Sequence, residues 1–236
     1  VTGPDAAQVV VIEDLATAAG TALVLEGTST LTVGDADDRI LAGNLSGSGS
    51  LVKQGAGTLQ LDGTNSYTGT TAVQSGTLQL DGTHSGGAAY TVQSGATLSG
   101  DGSTTAAVSL AAGASFAPGA GGVGDLGTGN LTAVAGSSFT FEIDGTAGAG
   151  VDPNGHDQIV VTGTVDLTGA TLDTTGSDIV GAAVGDVFVI IDNDGTDAVT
   201  GTFAGLAEGD DVTVNGQNFR IFYSAGDGND VVLAAA

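Results

Sequence analysis

The sequence contains no Cys, Met or Trp, and its only cationic side chains are Arg39, Lys53 and Arg220, against 27 Asp and Glu. Without Cys there are no disulfide staples, thiolate metal sites or cysteine nucleophiles. The shortage of Lys and Arg excludes the clustered cations that nucleic acid requires. Only three Pro are present and no Gly-X-Y period runs through the 42 Gly, which excludes collagen. No apolar run reaches the ~18–20 residues of a membrane helix, so no membrane-spanning segment is expected. The chain opens at Val1 with no Met anywhere, which predicts a processed or trimmed N-terminus. What is present is 236 residues, 41% of them hydrophobic, at a net charge of −24. That is too apolar for a disordered acidic tail, and the length suits one domain. The charge keeps the particle soluble and attracts divalent cations. The Cys-free, Asp-rich, Lys-poor balance fits a secreted or surface-exposed protein.

Thr58–Thr64 and Thr77–Thr83 both read TLQLDGT, each after a Gly. Related punctuation recurs at Gln93–Gly102, Ala111–Gly119 and Val134–Gly145. The anchoring glycines, Gly57, Gly76, Gly95, Gly113 and Gly136, are 19, 19, 18 and 23 residues apart. A period near 20 is a solenoid signature. Between the glycines the segments are short and alternate, as in Thr58-Leu59-Gln60-Leu61, so Leu59 and Leu61 face one side. Thr and Val favour pleated backbone, and Asp-Gly and Ser-Gly dipeptides supply turns. Two architectures fit: a right-handed parallel β-solenoid (β-helix), or an antiparallel sandwich of hairpins. The near-identity of successive repeats favours the solenoid, with Leu59, Leu78 and Leu98 in one internal ladder. Dividing the length by the period predicts roughly 12 coils.

From Ile159 the apolar strand candidates come more often, and seven of the ten Phe and Tyr lie after residue 138. This predicts a wider C-terminal β segment on the same rod. The chain is therefore read as one all-β domain. Residues 1–42 form an N-terminal strand segment and first coils, 43–145 the repeat solenoid, and 146–236 a C-terminal solenoid and capping segment.

Leu45–Gly82 resembles the autotransporter-associated β-strand repeat of Gram-negative secreted passengers. The Gly-Ser-Gly-Ser-Leu opening is matched by Gly47–Leu51 and the Lys-x-Gly-x-Gly-Thr-Leu-x-Leu strand by Lys53–Leu61. The Asn-x-Tyr-x-Gly-x-Thr turn is matched by Asn65–Thr71, and the next Gly-Thr-Leu strand by Gly76–Leu78. Ser115–Gly119, His156–Gly163 and Phe219–Leu233 are similar to the same passengers. The resemblance implies a β-helical, exported, non-catalytic stalk or surface element. Autotransporters continue into a C-terminal membrane barrel, whereas this sequence stops at Ala236; removal of a barrel and a stand-alone secreted solenoid are both open.

Candidate sites are few. Ala225–Leu233 resembles one copy of a glycine-rich calcium nonapeptide, and Asp192–Gly195 resembles the front of a calcium loop without a closing Glu. Asp192, Asp194, Asp227 and Asp230 are thus candidate Ca2+ ligands, Ca2+ being the one cofactor considered. The plain alternative is that Asp and Asn beside Gly simply make turns. The only histidines, His84 and His156, sit near Gly-rich turns and are expected in surface loops, and Lys53 is expected as a solvated strand residue. No nucleophile elbow accompanies His156-Asp157. For assembly, Val9, Val10, Val11 and Ile12 form a β-prone run outside the repeat, and Val231, Val232 and Leu233 close the chain as an apolar, uncapped end. The expected partner is a second copy of the chain, stacked head to tail into a filament; host or cell-surface glycans are the other partner considered. The reading is a non-enzymatic, secreted structural solenoid building an extracellular fibre or surface layer. A cell-surface adhesin or passenger stalk is the alternative, and a carbohydrate-active β-helix enzyme a distant third.

Overall fold

The computed structural model describes residues 9–12, 16–150, 155–179 and 182–236. It is all-β, without a helix among the described residues, and its parallel sheets stack into a β-solenoid. Among the described residues no helix is long and apolar enough to cross a membrane. Each of the central coils contributes one short strand to each of three sheets. The first sheet stacks eight strands: Val9–Ile12, Thr30–Val33, Ser50–Lys53, Thr71–Val73, Tyr90–Val92, Val108–Leu110, Leu131–Ala133 and Val165–Asp166. The second stacks seven: Arg39–Leu41, Thr58–Leu61, Gly76–Leu80, Ala96–Gly100, Ser115–Pro118, Ser138–Thr140 and Thr171–Asp173. The third runs in parallel through Thr64–Asn65, Thr83–His84, Ser103–Thr104, Asp125–Thr128, Gln158–Val161 and Val187–Asn193. Ala22–Leu25 and Asn44–Gly47 pair in parallel at the N-terminal side.

The alternating repeat explains the core. Leu59, Leu78 and Leu98 pair in register and are each fully buried. The same row continues through Phe116, Phe139 and Leu172. Gly76 is needed where the chain enters its strand: its φ is +66°, and a Cβ there would collide with the Gly55 and Gly57 carbonyl oxygens of the coil below. The stack is shorter than the expected 12 coils, because the period does not hold. Leu78 follows Leu59 by 19 residues, but Leu172 follows Phe139 by 33. The later coils spend their extra residues on long connections, which gives the wider C-terminal segment the sequence predicts.

That segment ends in an antiparallel cap. Val187–Asn193 pairs on one side with Gln158–Val161 and on the other with Asp230–Ala235. Gln217–Ala225 then pairs with Asp230–Ala235, and Asp211–Val214 forms the outer strand. The hairpin turn is Asn215-Gly216. Asn215, at φ 45°, is the only non-glycine with positive φ among the described residues, as the left-handed turn residues of a tight hairpin require. The free edge of Val165–Asp166 is covered too. The Leu167 N–H donates to the Thr200 carbonyl at 2.9 Å, and the Thr200 N–H donates to the Val165 carbonyl at 2.8 Å. Phe203 plugs the core below, edge-on to Phe139 with ring centroids 5.6 Å apart. Tyr223 holds the plug: its hydroxyl accepts from the Phe203 N–H at 3.1 Å and donates to the Leu206 carbonyl at 2.8 Å.

Val231, Val232 and Leu233 are therefore not at an uncapped end. They lie in a strand paired on both edges, and all three are buried. Asp211–Val214 is the exposed edge there instead. Val9–Ile12 is the outermost strand of its own first sheet, in register from Val9 opposite Thr30 to Ile12 opposite Val33, with Val10 exposed.

Candidate functional site

The inward face of the third sheet carries polar side chains where a solenoid core is usually apolar. The register stacks Asn65, His84 and Thr104 on successive coils, and all are buried. The row continues through Thr128, which pairs with Val161, and Val161 in turn pairs with Asn193. Burying these groups is tolerable only because they are hydrogen-bonded. Asn65 Oδ1 accepts from the Leu45 N–H at 2.9 Å, which ties one coil to the next. Thr104 Oγ1 accepts from the Ala106 N–H at 3.1 Å. The Thr128 hydroxyl donates to the Gly129 carbonyl at 3.0 Å.

His84 is the centre of this row, not a surface-loop residue. Its ring stacks on Tyr67 at 4.0 Å. Nε2 lies 2.8 Å from the Tyr67 carbonyl, which can only accept, so Nε2 carries the proton. Nδ1 then accepts from the Tyr90 hydroxyl at 2.7 Å. Burial lowers the His84 pKa, the bond to the Tyr67 carbonyl opposing it, so the ring is neutral. Burial raises both tyrosine pKa values. Gly87 leaves room for the imidazole, since a Cβ there would strike it. His156 is also buried, edge-on to Phe188 at 5.4 Å, and its pKa is lowered by burial. The two histidines sit in different coils and share no partner.

Lys53 is likewise not solvated. It is 1% exposed, and its ammonium fills all three donors with carbonyls: Gln54 at 2.9 Å, Gly55 at 2.9 Å and Ser75 at 3.0 Å. Burial lowers its pKa, and Asp35 and Asp38 counter this. The Ser75 bond reaches the next coil, so this lysine of the repeat is a clamp between turns. Lys53→Met should cost about 1–3 kcal/mol by leaving three carbonyls short of a donor. A denaturation midpoint equal to wild type would refute that role.

Asp157 is another buried ionisable group. One carboxylate oxygen accepts from the Gly124 N–H and the other from the Glu142 N–H, each at 2.8 Å. Burial pushes its pKa up to about 7 against the pull of those two donors, with Glu142 and Asp101 adding repulsion. In the sequence Asp157 stands out only beside His156, as part of a triad without a nucleophile, and the buried polar row gives no signal.

On the outside of the third sheet a groove of about 450 Å³ is lined by Asp81, Asp101, Asp125 and by Ser and Thr hydroxyls. Burial raises the Asp125 pKa. Asp81 is held by side-chain amides of Gln60 and Gln79, at 2.9 and 2.6 Å.

The two acidic turns singled out in the sequence meet. The pairing of Val187–Asn193 with Asp230–Ala235 brings Asp192 and Asp227 close enough to Asp230 to act on its charge. The Asp230 pKa is raised, first by burial and then by those neighbours. Asp230 Oδ1 accepts from the Asn193 N–H at 3.0 Å. Asp194 lies just beyond, its N–H donating to the Val161 carbonyl at 2.9 Å. Among the described residues no three His, Cys, Asp or Glu side chains are grouped as a metal centre.

A polar ladder inside parallel coils, a lysine clamp between them and an antiparallel cap define a β-solenoid whose buried polar groups hold its own turns together. Residues 51–80 match the family model of the passenger-associated-transport-repeat. That match spans Lys53, Tyr67 and the first Leu rungs, and with the fold it fits an autotransporter passenger-like repeat protein. No curated protein matches the chain.

Proposed function

We propose that this chain is a non-enzymatic, exported β-solenoid stem, a rigid spacer of the passenger type on or outside a Gram-negative cell. The supporting observation is the antiparallel cap over the last coil, which takes the place of the parallel rung that head-to-tail stacking would continue. The passenger-associated repeat over residues 51–80 supports the exported, surface location. Asn65 and Lys53 spend hydrogen bonds on tying one coil to the next, which favours a structural role over chemistry. Sedimentation and negative-stain electron microscopy test this. Separate rods with a coil stack about 35–40 Å tall are expected; long filaments at high protein concentration would overturn the proposal.

A second reading rests on Val9–Ile12. Among the described residues this strand has a neighbour on one edge only, and Val10 is 43% exposed. A second copy could add its own strand there. Pairing of this edge with the same edge of a second copy is two-fold and self-limiting, so it gives a dimer and no fibre. Deleting residues 1–14 should then convert dimers to monomers. Monomers in the undeleted chain would dispose of this reading.

A further inference from the structure

The strands Val187–Asn193 and Asp230–Ala235 pair only as far as Ile191 opposite Val231. Beyond that point the Asn193 N–H turns to the Asp230 carboxylate in place of a backbone carbonyl. Continuing the register would set Asn193 opposite Asn229. Both are almost wholly buried, at 1% and 2% exposure. Asn193 uses its Nδ2 on the Asp197 carbonyl at 2.7 Å, but its Oδ1 has no hydrogen-bond partner. Neither amide atom of Asn229 has one. Three orphaned amide atoms at facing register positions are costly, and a native protein satisfies such groups with a water or an ion. The surroundings favour the ion. Asp230 adjoins Asn229 in the chain and accepts from the Asn193 N–H, and Asp192 and Asp227 are near enough to act on its charge. The cationic side chains are engaged elsewhere: Arg39 with Asp35 and Asp37, Lys53 with its three carbonyls, and Arg220 with Asp211.

We propose that Asn193 Oδ1, Asn229 Oδ1 and the Asp230 carboxylate hold a Ca2+ ion where the cap joins the solenoid. The donor set is all oxygen, which suits a hard cation. Neutral amides beside a single carboxylate, completed by carbonyls or water, suit the flexible coordination of Ca2+ better than the strict octahedron of Mg2+. No histidine or thiolate is among the donors, so Zn2+ is disfavoured. The carboxylates alone do not make the site: its inner ligands would be the two buried amides, which the Asp pattern in the sequence does not name. Bound there, the ion would tie the turn after Asn193 to the turn before Asn229, locking the cap to the last coil.

The test is calorimetric titration of the chelator-treated full chain with CaCl2, paired with thermal melts in NaCl of matched ionic strength. Wild type should show saturable binding of a single ion. Its Tm should rise by about 5–10 °C at ~100-fold excess over Kd, beyond the NaCl effect. Asn229→Leu should abolish the binding while melting, without Ca2+, no lower than wild type, because it removes orphaned polar atoms. Asp227→Asn, at an exposed turn position, should weaken binding several-fold without unfolding the chain. Equal responses to calcium and sodium in wild type would overturn the proposal and leave the orphaned amides to water. So would undiminished calcium binding by Asn229→Leu.

Discussion

Leu78→Ala is expected to lower the unfolding free energy by ~2–5 kcal/mol. Leu78 is fully buried between Leu59 and Leu98, with which it is in register. The rungs above and below are fixed by ladder hydrogen bonds, so they cannot close into the space a truncated side chain leaves. The cost therefore combines lost transfer energy with a persistent cavity, at the upper part of the range. For a chain of this length that is a Tm drop of roughly 5–20 °C. Val184→Ala is the control: Val184 is 83% exposed, and its loss should stay within about 0.5 kcal/mol. A Leu78→Ala midpoint as close to wild type as that of Val184→Ala would remove the stacked-ladder core.

The second large effect depends on pH. The Asp157 pKa is about 7 in the folded chain, above the ~3.9 of an unfolded Asp. The folded state therefore binds this proton more tightly. The resulting stability is fully present below the unfolded pKa and is lost as pH rises to about 7. Between pH 5 and pH 8 this amounts to about 3 kcal/mol. His84 and His156 act in the opposite sense: burial lowers their pKa values, so they cost stability as pH falls below ~6.5. The overall negative charge adds a further acid-favouring background. The readout is therefore the difference between wild type and Asp157→Asn, in which those contributions cancel. Asn cannot gain a proton, and it offers one acceptor to two N–H donors. The advantage of wild type should be largest near pH 5 and shrink toward pH 8. Parallel stability curves for the two proteins would show that Asp157 does not titrate in this range.

The leucine rungs were readable because Thr-Leu-Gln-Leu alternates over four residues and recurs at a fixed interval. The polar interior was not, for a physical reason. The third-sheet strands Thr83–His84 and Ser103–Thr104 are two residues long, and two residues carry no alternation. Only the register shows which of the pair faces inward. Lys53 misled similarly: a lone lysine in a strand of a soluble acidic protein reads as solvated, and the three carbonyls that enclose it come from backbone turns that leave no side-chain signature. Val231-Val232-Leu233 looked like an end because an apolar run has the same composition at a sheet's edge as at its centre. The acidic turns were visible, but their meeting was not. Asp192 and Asp230 become neighbours only through the antiparallel reversal of Asp230–Ala235.

Repetition carries a risk that the interior polar row removes. With TLQLDGT in two consecutive coils, a chain threading itself one coil out of place would meet almost the same leucines and lose little core energy. Such slipped forms would compete as kinetic traps. Asn65, His84 and Thr104 differ from one another, and His84 requires Tyr67 on one side, Tyr90 on the other and Gly87 beneath it. A one-coil slip would set the imidazole among the wrong neighbours with its nitrogens unpaired. The leucine repeat thus supplies cohesion without identity, and the buried imidazole works as an address that tells one turn of the rod from the next.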